Sequence, residues 1–153
     1  SRGLGDVYKR QHGYGSITAV YTVLAEGDDK TDPIVDIARA SLDGQVMLSR
    51  DLADAAHYPA IDLEGSISRV MESIVEPSHL ENANKLRRLW TLYKQNQDLI
   101  QVGAYESGSN SDLDLAITLR KEVEDLLQQN SSEAFSMDTC KGLLEEVLGD
   151  DYV

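Results

Sequence analysis

A chain of 153 residues, 41% of them hydrophobic, has the material for one ordinary domain or for two small pieces with a core. Its formal net charge of -13 argues against nucleic acid and anionic membrane as direct partners. The lone Cys140 excludes an intrachain disulfide, and no run approaches the roughly 18 apolar residues of a transmembrane span.

Residues 1–11 (SRGLGDVYKRQ) read as an in-frame translation of a transposase-type sequencing-library adapter, GAT GTG TAT AAG AGA CAG encoding Asp6 to Gln11 codon for codon. They are set aside as a non-native segment, with the expectation that the gene model began inside a truncated read. Without their net charge of +2 the formal charge moves from -13 to -15. Residues 17–24 (ITAVYTVL) are short, apolar and rich in β-branched and aromatic side chains, which predicts a strand buried on both faces of a parallel sheet. The polar run 26–33 ends it. In residues 34–42 (IVDIARASL), Ile34, Ile37, Ala38 and Leu42 share one helical face, and Asp43-Gly44 supplies the stop. Residues 45–49 (QVMLS) predict a second short strand, so strand, helix and strand compose a βαβ-type unit.

The composition shifts after Met71. Pro77 and Ser78 open a long helix in which Leu80, Ala83, Leu86, Leu89, Tyr93 and Ile100 recur at helical spacing, with Arg87, Arg88 and Lys94 on other faces. Residues 103–110 form a loop. A second helix is predicted over 112–129 through Leu113, Ala116, Ile117, Val123 and Leu127. Ser131 and Ser132 mark a polar break, after which Ser136 caps a final helix carrying Met137, Cys140, Leu144 and Val147. Cys140 lies on the apolar phase of that helix, so it reads as a small buried hydrophobe.

Residues 48–69, LSRDLADAAHYPAIDLEGSISR, closely resemble the nucleotide-site end of the hexameric rotary and type III export ATPases. Residues 15–33 (GSITAVYTVLAEGDDKTDP) are similar to that family's segment after its Walker B strand, and residues 98–110 (DLIQVGAYESGSN) continue the likeness. Gly103, Ala104 and Tyr105 lean towards the flagellum-specific export ATPase, since injectisome relatives more often read GEY there. The resemblance implies an α/β remnant of a RecA-like P-loop NTPase core followed by an all-α C-terminal domain. The expected division is an adapter-derived 1–11, a core remnant at 12–75 and a helical domain at 76–153.

For the parent protein the family implies ATP hydrolysis with ATP and Mg²⁺ as cofactors, powering flagellar type III protein export. This chain lacks the G-x-x-x-x-G-K-[ST] run whose amides, lysine and hydroxyl hold the phosphates and Mg²⁺, and by this alignment Walker B precedes Gly15. It is therefore expected to be inactive alone. The family's YPA aromatic packs on adenine, which assigns that role to Tyr58; the arginine closing S-x-S-R reaches the neighbouring subunit's site, which makes Arg69 an arginine finger acting in trans. The plainer alternatives are a packed loop tyrosine and an exposed Arg69 paired with Asp62 or Glu64. Arg50 reads as a structural ion-pair residue. Implied partners are identical chains in a homohexamer, a coiled-coil stalk protein, a stator-like regulator and export chaperone–substrate complexes, but no nucleic acid. The implied location is cytoplasmic, peripheral at the inner-membrane export gate.

The acidic loop of Glu26, Asp28, Asp29 and Asp32 lacks the residue order of an EF-hand; the similar loop of rotary relatives faces the central stalk, which implies a contact with a coiled-coil stalk protein, the alternative being a solvated connection loop. His12, His57 and His79 have no metal-ligand spacing, so no metal site is expected. The rival readings are the ATPase of a virulence injectisome, or a non-catalytic helical module that binds export chaperones or a stalk protein.

Overall fold

The computed structural model describes residues 18–24 and 32–149. The adapter reading of residues 1–11, His12, and Glu26, Asp28 and Asp29 of the acidic loop lie outside the described residues. The chain divides into two units, residues 1–45 and 46–153.

In the first unit the expected strand over 17–24 is not found: residues 18–24 adopt no regular structure, with Val20 and Leu24 at the surface. A strand buried on both faces exists only through ladders to its neighbours. None is formed with residues 18–24, so the predicted βαβ unit is not formed either. Helix α1, Pro33–Ser41, falls within one residue of its predicted span. Proline opens it at the position where a missing N–H costs nothing, and Asp36 near the start pairs with Arg39 near the end at 3.6 Å. Its predicted apolar face is incompletely covered: Ile37 is 67% exposed, while Ala38 and Leu42 are half-buried.

Strand β1, Gly44–Leu48, pairs with β2, Ile61–Ser68, in a two-stranded sheet. A short helix α2, Arg50–Asp54, lies between them in sequence, and α3, Met71–Ile74, follows β2. The rest of the second unit is helical. Helix α4, Pro77–Gln101, starts at the predicted proline and buries Leu86, Leu89, Trp90 and Tyr93 along one stripe at spacings of three and four residues. The indole of Trp90 belongs to this stripe although the predicted face omits it.

The single helix predicted over 112–129 is two: α5, Ser111–Thr118, and α6, Arg120–Leu127. The break has a local cause. Thr118 Oγ1 donates to the Asp114 carbonyl at 2.9 Å, a back-bond that bends helices, and Leu119 sits between the two helices at φ -83° and ψ 0°. The bend brings Leu113, Ala116, Leu119 and Val123 all into the interior. Helix α7, Met137–Leu148, closes the unit; Ser136 Oγ accepts from the Thr139 N–H at 3.1 Å, the predicted cap. Only its second half is interior, through Leu144 and Leu148. Cys140 is exposed, contrary to the sequence reading, because the core ends before the first turn of α7, where Met137 is also exposed.

This core of Leu86, Leu89, Trp90, Tyr93, Ala116, Leu119, Val123, Leu144 and Leu148 takes in Leu63 of β2 at its edge. Among the described residues it contains no buried polar or charged side chain. Polar links ring it instead. Lys85 Nζ donates to the Leu148 carbonyl at 3.3 Å, placing a cation on the negative end of α7. Arg120 lies 5.8 Å from the Tyr93 ring centre and pairs with Glu124; Glu124 first, then Tyr93, raises its pKa above the ordinary guanidinium value. In the α4–α5 loop, Asp114 accepts from Tyr105 Oη (3.0 Å), Ser107 Oγ (3.3 Å) and the Gly108 N–H (2.8 Å).

Candidate functional site

The residues singled out by sequence lie at the two ends of β2. Tyr58 stands in the loop that leads into the strand, and Arg69 follows its last residue.

The Tyr58 loop is built outward from α2. Ser49 Oγ caps the start of that helix, accepting from the Leu52 N–H at 3.4 Å. At its other end the His57 N–H reaches the Leu52 carbonyl at 2.8 Å and the Ala56 N–H reaches the Ala53 carbonyl at 3.0 Å, the two bonds of a Schellman motif. The motif needs a left-handed residue, and Ala56 takes it at φ 57°. The chain therefore reverses sharply just before Tyr58, whose peptide bond to Pro59 is cis. Tyr58 is held at two points: its hydroxyl donates to the Ala53 carbonyl at 3.3 Å, and its own carbonyl accepts from the Gln129 N–H at 3.0 Å. Tyr58 is 56% exposed. A tethered rim with an open aromatic face suits stacking on a flat heterocycle.

β2 is not a plain strand. Asp62 Oδ1 accepts from the N–H groups of both Glu64 and Gly65 at 3.0 Å, and Ser66 Oγ donates to the Asp62 carbonyl at 2.6 Å while accepting from the Met47 N–H at 2.9 Å. The strand thus carries a local bend pinned to β1. Gly65 is required at the bend: a Cβ there would stand 2.8 Å from Asp62 Oδ2. Beyond Ser68, the Val70 carbonyl accepts from the Ser73 N–H at 3.0 Å and Ser73 Oγ at 2.8 Å, turning the chain into α3. Arg69 is exposed at this corner. Arg50, the first residue of α2, is exposed as well.

From the long helix, Arg87 reaches across to β2. Its Nη2 donates to the Ser66 carbonyl at 2.6 Å and its Nη1 to the Glu64 carbonyl at 3.4 Å. Sequence reading set Arg87 and Arg88 off the apolar face of the helix without a partner for either; Arg88 pairs with Asp112 at 3.5 Å. The spacing Asp62-x-x-Gly65 is a turn signal visible in sequence. Nothing in the sequence marks Gln129 or Arg87 as partners of these loops. A shallow recess of about 430 Å³ along α4, lined by Arg87, Arg88, Thr91, Gln95, Asn110 and Asp112 among others, holds neither Tyr58 nor Arg69. Among the described residues no group of three or more His, Cys, Asp or Glu side chains could hold a metal ion.

Residues 75–146 match the T3SS EscN ATPase C-terminal domain, and residues 4–68 match the nucleotide-binding domain of the ATP synthase alpha/beta family. The chain matches the C-terminal region of the flagellum-specific and type III secretion ATPases. It is 50% identical over 136 residues to a flagellum-specific ATP synthase of Pseudomonas aeruginosa, covering 89% of this chain and 30% of that relative. Among these ATPases of known structure, the assembled EscN of the enteropathogenic E. coli type III secretion system superposes with a TM-score of 0.85 at 41% identity, over 88% of this chain and 33% of EscN. EscN in complex with its central stalk EscO gives a TM-score of 0.73 at 37% identity, over 76% and 29%. The fold accordingly matches that of the EscN-like ATPases, with a small two-stranded sheet followed by a helical C-terminal domain. This chain spans less than a third of its flagellar relative's length.

Proposed function

We propose that this chain is the C-terminal part of a homohexameric ATPase that powers flagellar type III protein export. The observation that carries the reading is the 50% identity to a flagellum-specific ATP synthase across both the loops around β2 and the helical domain. The injectisome branch is the second reading, favoured by the likeness to EscN; Gly103, Ala104 and Tyr105 weigh towards the flagellar one.

In this reading Tyr58 lies against the adenine of its own subunit's ATP. Its ring is half open and its hydroxyl is tied to Ala53, so the face rather than the hydroxyl is what a base can use. Arg69, exposed at the far end of β2, serves the neighbouring subunit. Phosphoryl transfer spreads negative charge over the γ-phosphate oxygens, and a guanidinium aimed at them accelerates turnover by about 10³ to 10⁵. When bound, ATP with Mg²⁺ supplies the phosphoryl group and its charge neutralisation. No G-x-x-x-x-G-K-[ST] run is present to hold the phosphates, so this chain alone does not hydrolyse ATP.

The hexamer is formed by identical chains, as the assembled EscN supports, and a coiled-coil stalk protein engages it, as EscN's complex with EscO supports. A stator-like regulator and export chaperone–substrate complexes are the further partners, at the cytoplasmic side of the inner-membrane export gate. Among the described residues no helix is long and apolar enough to cross a membrane. Residues 12–75 end the ATPase core and 76–153 form the helical domain.

The test uses a full-length chain in which this sequence follows the catalytic half. Tyr58→Ala weakens ATP binding and Tyr58→Phe does not; equal losses point to the hydroxyl and refute stacking. Arg69→Ala cuts turnover by orders of magnitude and leaves nucleotide affinity nearly intact. Mixing those chains with P-loop-dead chains that keep Arg69 restores some hydrolysis. Mixed hexamers that form without recovery refute the trans role.

A further inference from the structure

We propose that Arg87 is the positioning residue for Arg69, setting from the helical domain where the finger points. The inference rests on the finger reading above. Ser66, three positions before Arg69, is held through both its side chain and its backbone: its hydroxyl accepts from the Met47 N–H of β1 at 2.9 Å, and its carbonyl accepts from Arg87 Nη2 at 2.6 Å. The second prong of the same guanidinium reaches the Glu64 carbonyl at 3.4 Å. A planar guanidinium presents its donors on two separate nitrogens in a fixed fork, which suits two carbonyls of one strand, whereas an ammonium's three donors radiate from a single nitrogen on a flexible stem. Two residues, Ile67 and Ser68, separate Ser66 from Arg69, a span of about 10 Å in extended chain. A shift of Ser66 is therefore carried to the finger with little slack.

Arg87 is placed for this by the core. It stands between Leu86 and Leu89, both buried, so the turn of α4 that carries it cannot swing away from β2 without opening the interior. Leu63, directly before the stretch Glu64 to Ser66 that Arg87 binds, packs on the same core. An apolar contact through Leu63 and the forked pair of hydrogen bonds from Arg87 join the helical domain to the strand that ends at the finger. Catalysis is sensitive to such placement, since an error of about 1 Å costs about 10²-fold in rate.

The experiment compares Arg87→Ala, Arg87→Lys, Arg69→Ala and the double variant Arg69→Ala/Arg87→Ala in the full-length hexamer. Arg87→Ala is expected to lower kcat by about 10- to 100-fold with KM within about twofold, the mark of a displaced transition-state group. Arg87→Lys keeps the charge and the packed stem, and melts where the parent does, yet recovers only part of kcat because a single ammonium nitrogen cannot occupy both Nη positions and holds the two carbonyls less rigidly. The deciding comparison is the double variant: with the finger gone, removing Arg87 costs nothing more. If Arg69→Ala lowers kcat but Arg87→Ala adds its full loss on top, or if Arg87→Lys is fully active, the Arg87 inference falls and the finger reading stands. If Arg69→Ala leaves kcat intact, both fall. Should Arg87→Ala not assemble, Arg87→Lys in the two Arg69 backgrounds decides in the same way.

Discussion

Replacing Gly65 by alanine tests the bend in β2 and has a sign that depends on its neighbour. The added Cβ would lie 2.8 Å from Asp62 Oδ2 and 3.2 Å from both Asp62 Cγ and Met47 Cγ. Met47 can yield, being flexible. Asp62 cannot yield freely, because rotating its carboxylate lengthens the two 3.0 Å bonds that Oδ1 accepts from the Glu64 and Gly65 N–H groups. Near the surface, where water replaces them in part, these bonds together contribute about 1–2 kcal/mol. Against that, alanine lowers the entropy of the unfolded chain, which stabilises by about 0.4–1 kcal/mol where the backbone permits it. It does permit it here, since among the described residues the glycines at positive φ are Gly103 and Gly108. The net expectation is a loss of about 1 kcal/mol, read as a lower urea midpoint at unchanged slope. In an Asp62→Ala background the clash with the carboxylate is absent and its bonds are already lost, so Gly65→Ala becomes neutral or stabilises slightly. The same destabilisation in both backgrounds would refute the account of the bend.

Leu89, 2% exposed, should lose about 2–5 kcal/mol on truncation to alanine, whereas Leu99, half exposed on the same helix, should change stability by no more than about 0.5 kcal/mol; urea midpoints compare them directly. Ala56→Gly relieves a left-handed backbone that costs a non-glycine residue about 1–2 kcal/mol and gives part of it back in unfolded entropy, so a gain of about 0.5–1 kcal/mol is expected; an unchanged or lower midpoint would speak against strain at that turn. Trimming residues 1–11 should leave the melting temperature where it was, and a fall of several degrees, or about 1 kcal/mol, would count against their being foreign to the fold.

What sequence could show followed the range of the forces involved. Helix α4 was legible because its determinants are local: a proline at its first turn and leucines three and four apart. The Ser136 cap was legible for the same reason. The division between α5 and α6 was hidden, since a threonine that back-bonds to its own helix looks in sequence like any other helical threonine. Residues 18–24 have the composition of a buried strand, but a ladder is formed with residues distant in the chain and composition does not supply them. Cys140 shows a different limit: periodicity gives the phase of a helix, not how far along it the partner surface extends. For the candidate site, sequence resemblance pointed to Tyr58 and Arg69, while the groups that hold their loops, Gln129 and Arg87, act across the fold and left no local trace.

The helical interior, among the described residues, is aliphatic and aromatic without a buried polar side chain. Such surfaces adhere strongly but carry little directional information, and they accept other apolar residues of similar volume with modest loss. Alignment of the helices must then come from their margins, where Lys85 reaches the end of α7, Asp114 gathers the loop between α4 and α5, and Arg87 reaches β2. These act as detents on an otherwise slippery joint. Cohesion and registration are thereby assigned to different residues, so the interior of this domain can drift in sequence while the orientation of its surfaces is kept, and a single change at the margin can re-aim a surface in a domain that stays fully folded.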